Sequence, residues 1–366
     1  MTHNKKVIHI NAGGEVGGGK THIVSLVSSL GNDKAEVLVF EEGPVAVAAR
    51  DAGCRVHVLG QKSRYDVAVL KRLKKFLNEG AYSVVHTHGA RANFMLSLIT
   101  GQLDAIWVTT VHSDPFLEFQ EKGVAGKAFQ QLNVRSIRRA DHIITVSQAL
   151  EEQLHEIGVP DEKMTVVRNG IAFGSAPTAS SKKKSIFTMV HTARLHPVKG
   201  HDLLFESLKK AALPEWRVYL VGDGELRAEL EREAARLGIH RHVEFLGWLA
   251  PEDVQRTVRS ADVALLTSYS ETFPLVLLEA AKEGTPFIAT DVGDVHVLLP
   301  DARYGWLVPP KDASALAAAL QEAYSEWEAG TLQEKGTLVY ERTKQLFSLE
   351  QMAENTLAVY EKALKK

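Results

Sequence analysis

The sequence predicts an α/β protein made of two tandem Rossmann-like, doubly wound domains that face a central cleft. Its 366 residues are too many for one ordinary core and suit two domains of roughly 150–200 residues each. In each half, short β-branched runs alternate with amphipathic stretches, which is typical of parallel sheets covered by helices on both faces. A polar stretch at 174–185 separates the two halves.

The first domain, predicted over 1–173, contains seven such runs. They read VIHINAG, AEVLVFEEG, RVHVLG, SVVHTHG, AIWVTTVHS, HIITVS and MTVVRNG. Segments with helical spacing, such as HIVSLVSSLG and SQALEEQLHEIG, lie between most of them. Ser147 is expected as the N-cap of the second segment and Gly158 as its end, because these residue types satisfy helix termini.

A linker is predicted at 174–185, where GSAPTASSKKKS has no apolar periodicity. The second domain, predicted over 186–348, repeats the alternation. Its runs read SIFTMVHTAR, WRVYLVGDG, HVEFLGW, VALLTS, PFIATDVG and GWLVPP. Ligands of such sheets bind outside the carboxyl ends of the strands, so the cleft is the expected site. The last helix, 349–366, is expected to pack back on the first domain.

Composition narrows the possible function classes. The formal net charge is −2, so no whole-protein field favours nucleic acid. The single cysteine, Cys54, excludes an internal disulfide framework, fits a reducing cytosol and is expected in the core. No run is long enough for a signal peptide or a spanning helix. These observations predict a cytoplasmic protein.

The first loop contains a full P-loop pattern: Gly14, four residues, then Gly19-Lys20-Thr21. A P-loop enzyme also needs an aspartate at the end of an apolar strand to hold magnesium, and no nearby run supplies one. The successive glycines Gly17 to Gly19 still let the backbone approach a ligand and turn amides toward an anion. We therefore favour a different phosphate ligand, with a triphosphatase or an unliganded tight turn as alternatives.

Two cations follow the first strand of the second domain, in HTARLHPVKGHDLL. Arg194 and Lys199 flank Pro197, which keeps the intervening loop out of a regular helix. A planar guanidinium and a compact ammonium beside a strand end suit a diphosphate, although solvated surface charge is equally consistent with the pattern. Gly222 and Gly224, after the next strand, permit close backbone approach but are weak evidence alone.

The segment TSYSETFPLVLLEAAKEGTPFIATDVG is the most informative. Pro274 is predicted as the first helical residue, which leaves the amides of Leu275 and Val276 free for an anion. Glu271 and Glu279 would be about 12 Å apart in a helix, which exceeds the roughly 5–9.5 Å between paired glycosidase carboxylates. Glu271 is therefore expected to reach into the cleft and Glu279 to accept hydrogen bonds from a ribose. The alternatives are that Glu271 only complements the helix dipole and that Glu279 is an ordinary surface residue.

Over almost its whole length, the chain resembles the GT-B glycosyltransferases of family 4, a retaining, nucleotide-sugar-dependent group common in bacteria. The segments that carry the resemblance are the glycine loop, Arg194-x4-Lys199, Gly222-x-Gly224, VEFLGW and Glu271-x7-Glu279. The resemblance implies transfer of a hexose-type sugar to a saccharide or lipid-linked acceptor. The implied donor is a UDP-sugar, or else a GDP- or ADP-sugar, with no metal or other cofactor.

The resemblance also implies a role for each matching residue. Arg194 and Lys199 would stabilise the departing diphosphate, Glu271 would hold the sugar, and His112 matches a histidine that faces the transferred sugar. Preorganised cations and amides can stabilise the leaving phosphate without a metal. The implied donor-binding residues are Gly17, Gly18, Gly19, Gly222, Gly224, Leu246, Thr272, Phe273, Leu275, Val276 and Glu279.

The sequence departs from the family pattern at two places. The usual Gly-Phe-Gly after the first glutamate is Thr272-Phe273-Pro274, so one donor amide to the sugar is missing or moved. The usual acidic residue after DVGG is absent, and the segment here contains Asp294 and His296. Both departures leave the identity of the sugar open.

Histidines cluster in the first domain. His86 and His88 lie on one strand face at period two, and the resemblance places them around the acceptor. With His112 they have the ligand types for a zinc site, and hydrogen-bonded core histidines are a further alternative. No carboxylate partner is evident for a metal.

Lysine and arginine cluster in VLKRLKKFL and VRSIRRADH. A helix with such a face can bind anionic lipid. The pattern therefore allows either peripheral contact with the inner membrane or an ordinary solvated helix face.

The rival functions for the whole protein are a nucleotide-sugar epimerase of the same fold, a P-loop triphosphatase, and an inert sugar-nucleotide sensor.

Overall fold

The computed structural model describes residues 6–63, 66, 68–115, 123–177 and 185–365. The chain divides into two compact units, Met1–Gly170 with Leu349–Lys366, and Ile171–Ser348. The first unit thus ends three residues before the predicted boundary at 173. Within the predicted linker, residues 178–184 lie outside the described residues.

The described part of the first unit contains one parallel sheet of seven strands. The strands are β1 (Val7–Asn11), β2 (Ala35–Val39), β3 (Val56–Val58), β4 (Val84–His88), β5 (Ile106–Val111), β6 (His142–Thr145) and β7 (Met164–Val166). Their order is β3-β2-β1-β4-β5-β6-β7. From β1 the chain adds β2 and β3 on one side, and then β4 to β7 on the other side. The boundary between β1 and β4 is therefore the switch point at which such sheets bind ligands.

Helices cover both faces of this sheet. They are α1 (Gly18–Leu30), α2 (Pro44–Asp51), α3 (Ala68–Gly80), α4 (Ala90–Ser97), α5 (Gly123–Arg138), α6 (Gln148–Glu156) and, after the second unit, the C-terminal helix (Leu349–Ala363). Met352, Val359 and Tyr360 of the C-terminal helix join the apolar cluster that contains Ile23 and Leu26 of α1. The last helix therefore completes the core of the first unit.

The second unit repeats the architecture with a parallel sheet that has six strands in the described residues. The strands are β8 (Phe187–Thr192), β9 (Trp216–Val221), β10 (Val243–Gly247), β11 (Val263–Leu266), β12 (Phe287–Thr290) and β13 (Gly305–Val308). Their order is β10-β9-β8-β11-β12-β13, which places the switch point between β8 and β11.

The helices of the second unit alternate with these strands. They are α7 (His201–Ala211), α8 (Arg227–Arg236), α9 (Pro251–Ser260), α10 (Leu275–Lys282), α11 (Val295–Leu298), α12 (Ala313–Ala329) and α13 (Leu332–Phe347), so that the C-terminal helix is α14. Two apolar clusters, one on each side of the sheet, form the core. The predicted doubly wound arrangement is confirmed for both units.

Local sequence signals agree with several observed features. The Ser147 side chain accepts a hydrogen bond from the Leu150 amide and caps α6. Cys54 is buried in the core, and burial raises the pKa of its thiol. None of the helices in the described ranges combines the length and the apolar character needed to cross a bilayer.

The basic segment VLKRLKKFL forms most of α3. Its apolar residues Val69, Leu73 and Leu77 are buried. Arg72 pairs with Asp66 at 2.7 Å, and other cations of this face also have nearby polar partners. These contacts are those of a solvated surface helix.

Candidate active site

Arg194 and Lys199 lie in the loop after β8, beside the switch point of the second sheet. Arg194 is exposed, and its guanidinium has no hydrogen-bond or ion-pair partner among the residues that the structure describes. Lys199 ends a short 3₁₀ turn, and its Nζ lies 2.5 Å from Glu271 Oε1. Within the described ranges, Arg194 is therefore free for a ligand, whereas Lys199 is held by a carboxylate.

Glu271 is oriented by the loop that follows β11. Ser268 Oγ donates to Glu271 Oε1 at 2.6 Å, so this oxygen accepts from both a hydroxyl and an ammonium. The Thr267 hydroxyl donates to the Lys199 carbonyl at 3.0 Å, and the Tyr269 amide donates to the Val198 carbonyl at 2.8 Å. These bonds join the loops after β8 and β11 into one preorganised group.

Helix α10 begins at Leu275, one residue later than predicted. Pro274 is the N-cap with extended backbone, φ −80° and ψ 98°, and not the first helical residue. The amides of Leu275 and Val276 lie in the first turn, where a helix supplies no acceptor, and no hydrogen bond to them occurs within the described residues. This end of the helix can still bind an anion.

The side chain of Phe273 does not belong to an open site. It is 7% exposed, and its ring lies 5.3 Å from that of Phe347. The backbone around Thr272 instead packs on Gly293, where a methyl group would meet the Glu271 carbonyl at 2.5 Å. Phe273 therefore anchors the loop between β11 and α10 in the core, and sequence reasoning missed Gly293.

Glu279 lies in the second turn of α10 and is exposed. Its carboxylate makes no hydrogen bond or ion pair to any residue that is described, so it is available to a ligand.

Leu246, near the end of β10, is partly buried. The guanidinium of Arg227 lies 5.7 Å from the centre of the neighbouring Phe245 ring, a contact that sequence reasoning missed.

Gly222 and Gly224 are required by the loop packing itself. Gly222 has φ 129°, and a methyl group there would lie 2.1 Å from the Ala193 carbonyl oxygen. A methyl group at Gly224 would lie 2.4 Å from the Leu195 carbonyl oxygen. These glycines let the loop after β9 lie directly against the backbone that carries Arg194.

Substitution of Gly222 by alanine is expected to destabilise the second unit by about 3 kcal/mol, because it adds a backbone clash to a left-handed conformation. Chemical denaturation measures the free energy of unfolding. Gly174→Ala is the matched control, since a methyl group there meets nothing within 4 Å. Equal stability of the two variants would contradict the packing described here.

The glycine loop of the first unit faces a carboxylate. Gly17, with φ 72°, is the N-cap of α1, and a methyl group at Gly19 would meet Glu15 Oε1 at 1.8 Å. Asn11 Nδ2 donates to the other Glu15 oxygen at 2.5 Å, and burial raises the pKa of this carboxyl. Glu15 thus lies where the sequence predicts a phosphate contact for Gly17, Gly18 and Gly19.

The last two residues of the P-loop pattern, Lys20 and Thr21, belong to the first turn of α1. The Thr21 hydroxyl donates to the Gly17 carbonyl at 3.2 Å. The threonine is therefore engaged by its own helix.

The prediction that His86 and His88 contact an acceptor is inconsistent with the structure. Both side chains are 0% exposed. His86 is hydrogen-bonded to Tyr360 and Thr110, and His88 to His9 and His112. The two residues are core histidines, which was an alternative left open by the sequence.

His112 directly follows β5 and is partly buried. It belongs to a larger histidine cluster than the sequence suggested, because the ring of His22 lies beside that of His112 and the ring of His9 beside that of His88. Two groups, His9–His86–His88 and His22–His88–His112, bring one ring nitrogen from each residue to within 4.8 Å of one another. His9 could have been found from its position, because it pairs with His86 between the neighbouring strands β1 and β4. This pairing is known only once the strand order is known.

Two doubly wound parallel units, the second with cations at its switch point, are the architecture of the GT-B glycosyltransferases. The structure resembles HepE of Anabaena, crystallised with UDP, with a TM-score of 0.84 and 20% identity over 97% of this chain and 99% of that chain. Residues 17–170 match the model of the glycosyl transferase 4-like domain, and residues 175–335 match that of glycosyl transferases group 1. The chain belongs to the GT-B glycosyltransferases of the family 4 type and is a transferase enzyme.

Two relatives illustrate the range of this family. The glycogen synthase of Mycobacterium tuberculosis is 28% identical over 79% of this chain and 71% of its own length. The phosphatidyl-myo-inositol mannosyltransferase of Mycolicibacterium smegmatis is 28% identical over 83% of this chain and 80% of its own length. One relative is named for a polysaccharide and the other for a lipid acceptor.

Proposed function

We propose that this enzyme transfers a hexose-type sugar from a UDP-sugar, with retention of configuration and without a metal ion. The observation that carries the proposal is the exposed Arg194, which has no partner among the described residues, in the same loop as Lys199, which pairs with Glu271. Together with the first amides of α10, which have no acceptor among the described residues, Arg194 and Lys199 supply fixed positive charge where a leaving diphosphate develops negative charge. Crystals of HepE with UDP and with UDP-glucose support the choice of donor.

Each remaining polar group has a part in the proposal. Glu271 holds sugar hydroxyls: its Oε2 has no partner in the part of the chain that the structure describes and can accept hydrogen bonds from them. Glu279 accepts hydrogen bonds from the ribose, and the backbone near Leu246 meets the base. His112 contributes a hydrogen bond to the sugar. Gly222 and Gly224 act by shaping the loop that presents Arg194.

The acceptor is proposed to be a saccharide or a lipid-linked saccharide. The lipid named in the mycobacterial mannosyltransferase supports the second possibility. The enzyme would then work in the cytoplasm or peripherally at the inner membrane face.

A melting-temperature screen with UDP, GDP, ADP and ATP, each with and without EDTA, tests the donor class. UDP at about a hundred times its dissociation constant is expected to stabilise the protein by roughly 2.7 kcal/mol, with little effect of EDTA. Magnesium-dependent stabilisation by ATP that disappears in Lys20→Ala would instead identify a triphosphatase.

A labelled-donor assay with added acceptors tests the reaction. Transfer to an acceptor, with the anomeric configuration of the product read by NMR, is the expected result. Epimerisation of the sugar without an acceptor would contradict transfer, and inversion would contradict retention. Binding with neither transfer nor donor hydrolysis would indicate an inert sensor.

A further inference from the structure

A continuous hydrogen-bond chain crosses the core of the first unit and ends at His112. We call it the histidine chain, and its members are Thr110, His86, Tyr360, His9, His88 and His112. The links are Thr110 Oγ1 to His86 Nε2 at 2.7 Å, His86 Nδ1 to Tyr360 Oη at 2.6 Å, Tyr360 Oη to His9 Nε2 at 3.4 Å, His9 Nδ1 to His88 Nε2 at 3.0 Å, and His88 Nδ1 to His112 Nε2 at 3.1 Å. The chain connects three strands and the C-terminal helix.

The imidazoles of this chain are neutral. Burial, reinforced by His22, lowers the pKa of His9 to about 3. Burial and the neighbouring rings lower the pKa of His86, His88 and His112 well below the ordinary value. A neutral imidazole has one N–H donor and one acceptor nitrogen. The buried Tyr360 hydroxyl has one proton and no other partner within the described residues, so it donates to one of its two histidines and accepts from the other. Every link in the chain therefore points in the same direction.

Thr110 sets that direction. Its side chain is 1% exposed, and the only hydrogen-bond partner of its hydroxyl within the described ranges is His86 Nε2. A buried hydroxyl proton without an acceptor is costly, so Thr110 donates and His86 Nε2 accepts. The opposite direction would leave this proton unsatisfied in the core.

The remaining links follow from the first. The donors are then His86 Nδ1–H to Tyr360, the Tyr360 hydroxyl to His9 Nε2, His9 Nδ1–H to His88 Nε2, and His88 Nδ1–H to His112 Nε2. Because His112 Nε2 accepts, the proton of this imidazole is on Nδ1. That nitrogen has no partner among the described residues, and His112 is the one imidazole of the chain that is not fully buried.

We propose that the histidine chain fixes His112 as the Nδ1–H tautomer, so that His112 meets its ligand as a hydrogen-bond donor to an oxygen atom. Thr110, His86, Tyr360, His9 and His88 are then positioning residues that act through His112. The catalytic consequence, donation to an oxygen of the bound sugar, rests on the proposed function. The tautomer itself follows from the contacts of the first unit alone.

NMR of the full-length protein labelled with ¹⁵N-histidine tests this proposal, because long-range ¹H–¹⁵N correlations distinguish Nδ1–H from Nε2–H. His112→Gln assigns the signal. The wild type is expected to show His112 as Nδ1–H. Thr110→Val removes the first donor and suits a strand, so it is expected to shift His112 toward Nε2–H, whereas Thr110→Ser keeps the wild-type state.

Thr165→Val is the matched control, since the Thr165 hydroxyl pairs with His142 at 2.9 Å on the same sheet; its His112 signal should not change. Tyr360→Phe breaks the chain at a second point and should reproduce the shift if Thr110→Val fails to fold. An Nε2–H signal in the wild type, or no shift in a folded variant, overturns the proposal. So does binding of one equivalent of zinc, because the same nitrogens would then be metal ligands.

Transfer assays separate this inference from the proposed function. Thr110→Val is expected to lower kcat about 10-fold with unchanged UDP affinity, as for loss of one well-placed hydrogen bond, and Thr110→Ser to retain kcat. An altered tautomer with unchanged kcat overturns the catalytic consequence. The predicted tautomer shift in a protein that transfers no sugar supports the chain and overturns the proposed function.

Discussion

Replacement of Arg194 or Lys199 by alanine is expected to lower the affinity for UDP by about 10- to 100-fold and to abolish sugar transfer. A hydrogen bond to a charged group contributes about 1.5–3 kcal/mol, and each 1.4 kcal/mol is about tenfold in affinity. Arg194 has no partner among the described residues, so its removal breaks no native ion pair. Isothermal titration calorimetry with UDP measures the loss.

Two controls show whether the loss of affinity is specific to these two cations and to the diphosphate. Lys209→Ala removes an exposed cation at the opposite end of α7 and should leave the UDP affinity unchanged. Uridine lacks the diphosphate and should bind the wild type and both variants equally. UDP affinity that survives in Arg194→Ala and Lys199→Ala would contradict diphosphate binding at this loop.

Replacement of Glu271 by glutamine is expected to lower kcat about 100-fold while UDP binds as well as before or slightly better. The carboxylate is proposed to hold the sugar, and removal of one preorganised electrostatic contact typically costs that much in rate. The amide also weakens the 2.5 Å contact with Lys199 Nζ, which frees this ammonium for the diphosphate. Steady-state kinetics and calorimetry on the same preparation measure the two effects.

Glu252→Gln is the matched control for this substitution, because Glu252 is an exposed carboxylate in the first turn of α9. This substitution should change neither kcat nor the affinity for UDP. A parallel fall in kcat and UDP affinity in Glu271→Gln would mean that Glu271 supports the loop and does not act on the sugar.

The strands of both sheets were predictable because most of them are short, largely apolar runs of β-branched, aromatic and leucine residues. The alternation with helices implied parallel pairing, and caps such as Ser147 marked helix ends. The first residue of α10 was misplaced because proline is compatible with both the N-cap and the first helical position. Neighbouring propensities do not decide between these two positions.

The contacts of the site depend on strand order, which a single sequence does not state. Lys199 and Glu271 meet across 72 positions because β8 and β11 are neighbours in the sheet. His86 and Tyr360 meet across 274 positions because α14 returns to the first unit. The burial of His86 and His88 likewise became evident only when the surrounding helices were placed, whereas the exposed Arg194 was recognised from its local pattern.

A crystal structure of the chain with UDP tests the central claim most directly. The account predicts the diphosphate within about 2.7–3.2 Å of the Arg194 guanidinium and Lys199 Nζ, at the N-terminus of α10. A diphosphate bound at Lys20 and the glycine loop of α1, with both Arg194 and Lys199 turned to solvent, would contradict it.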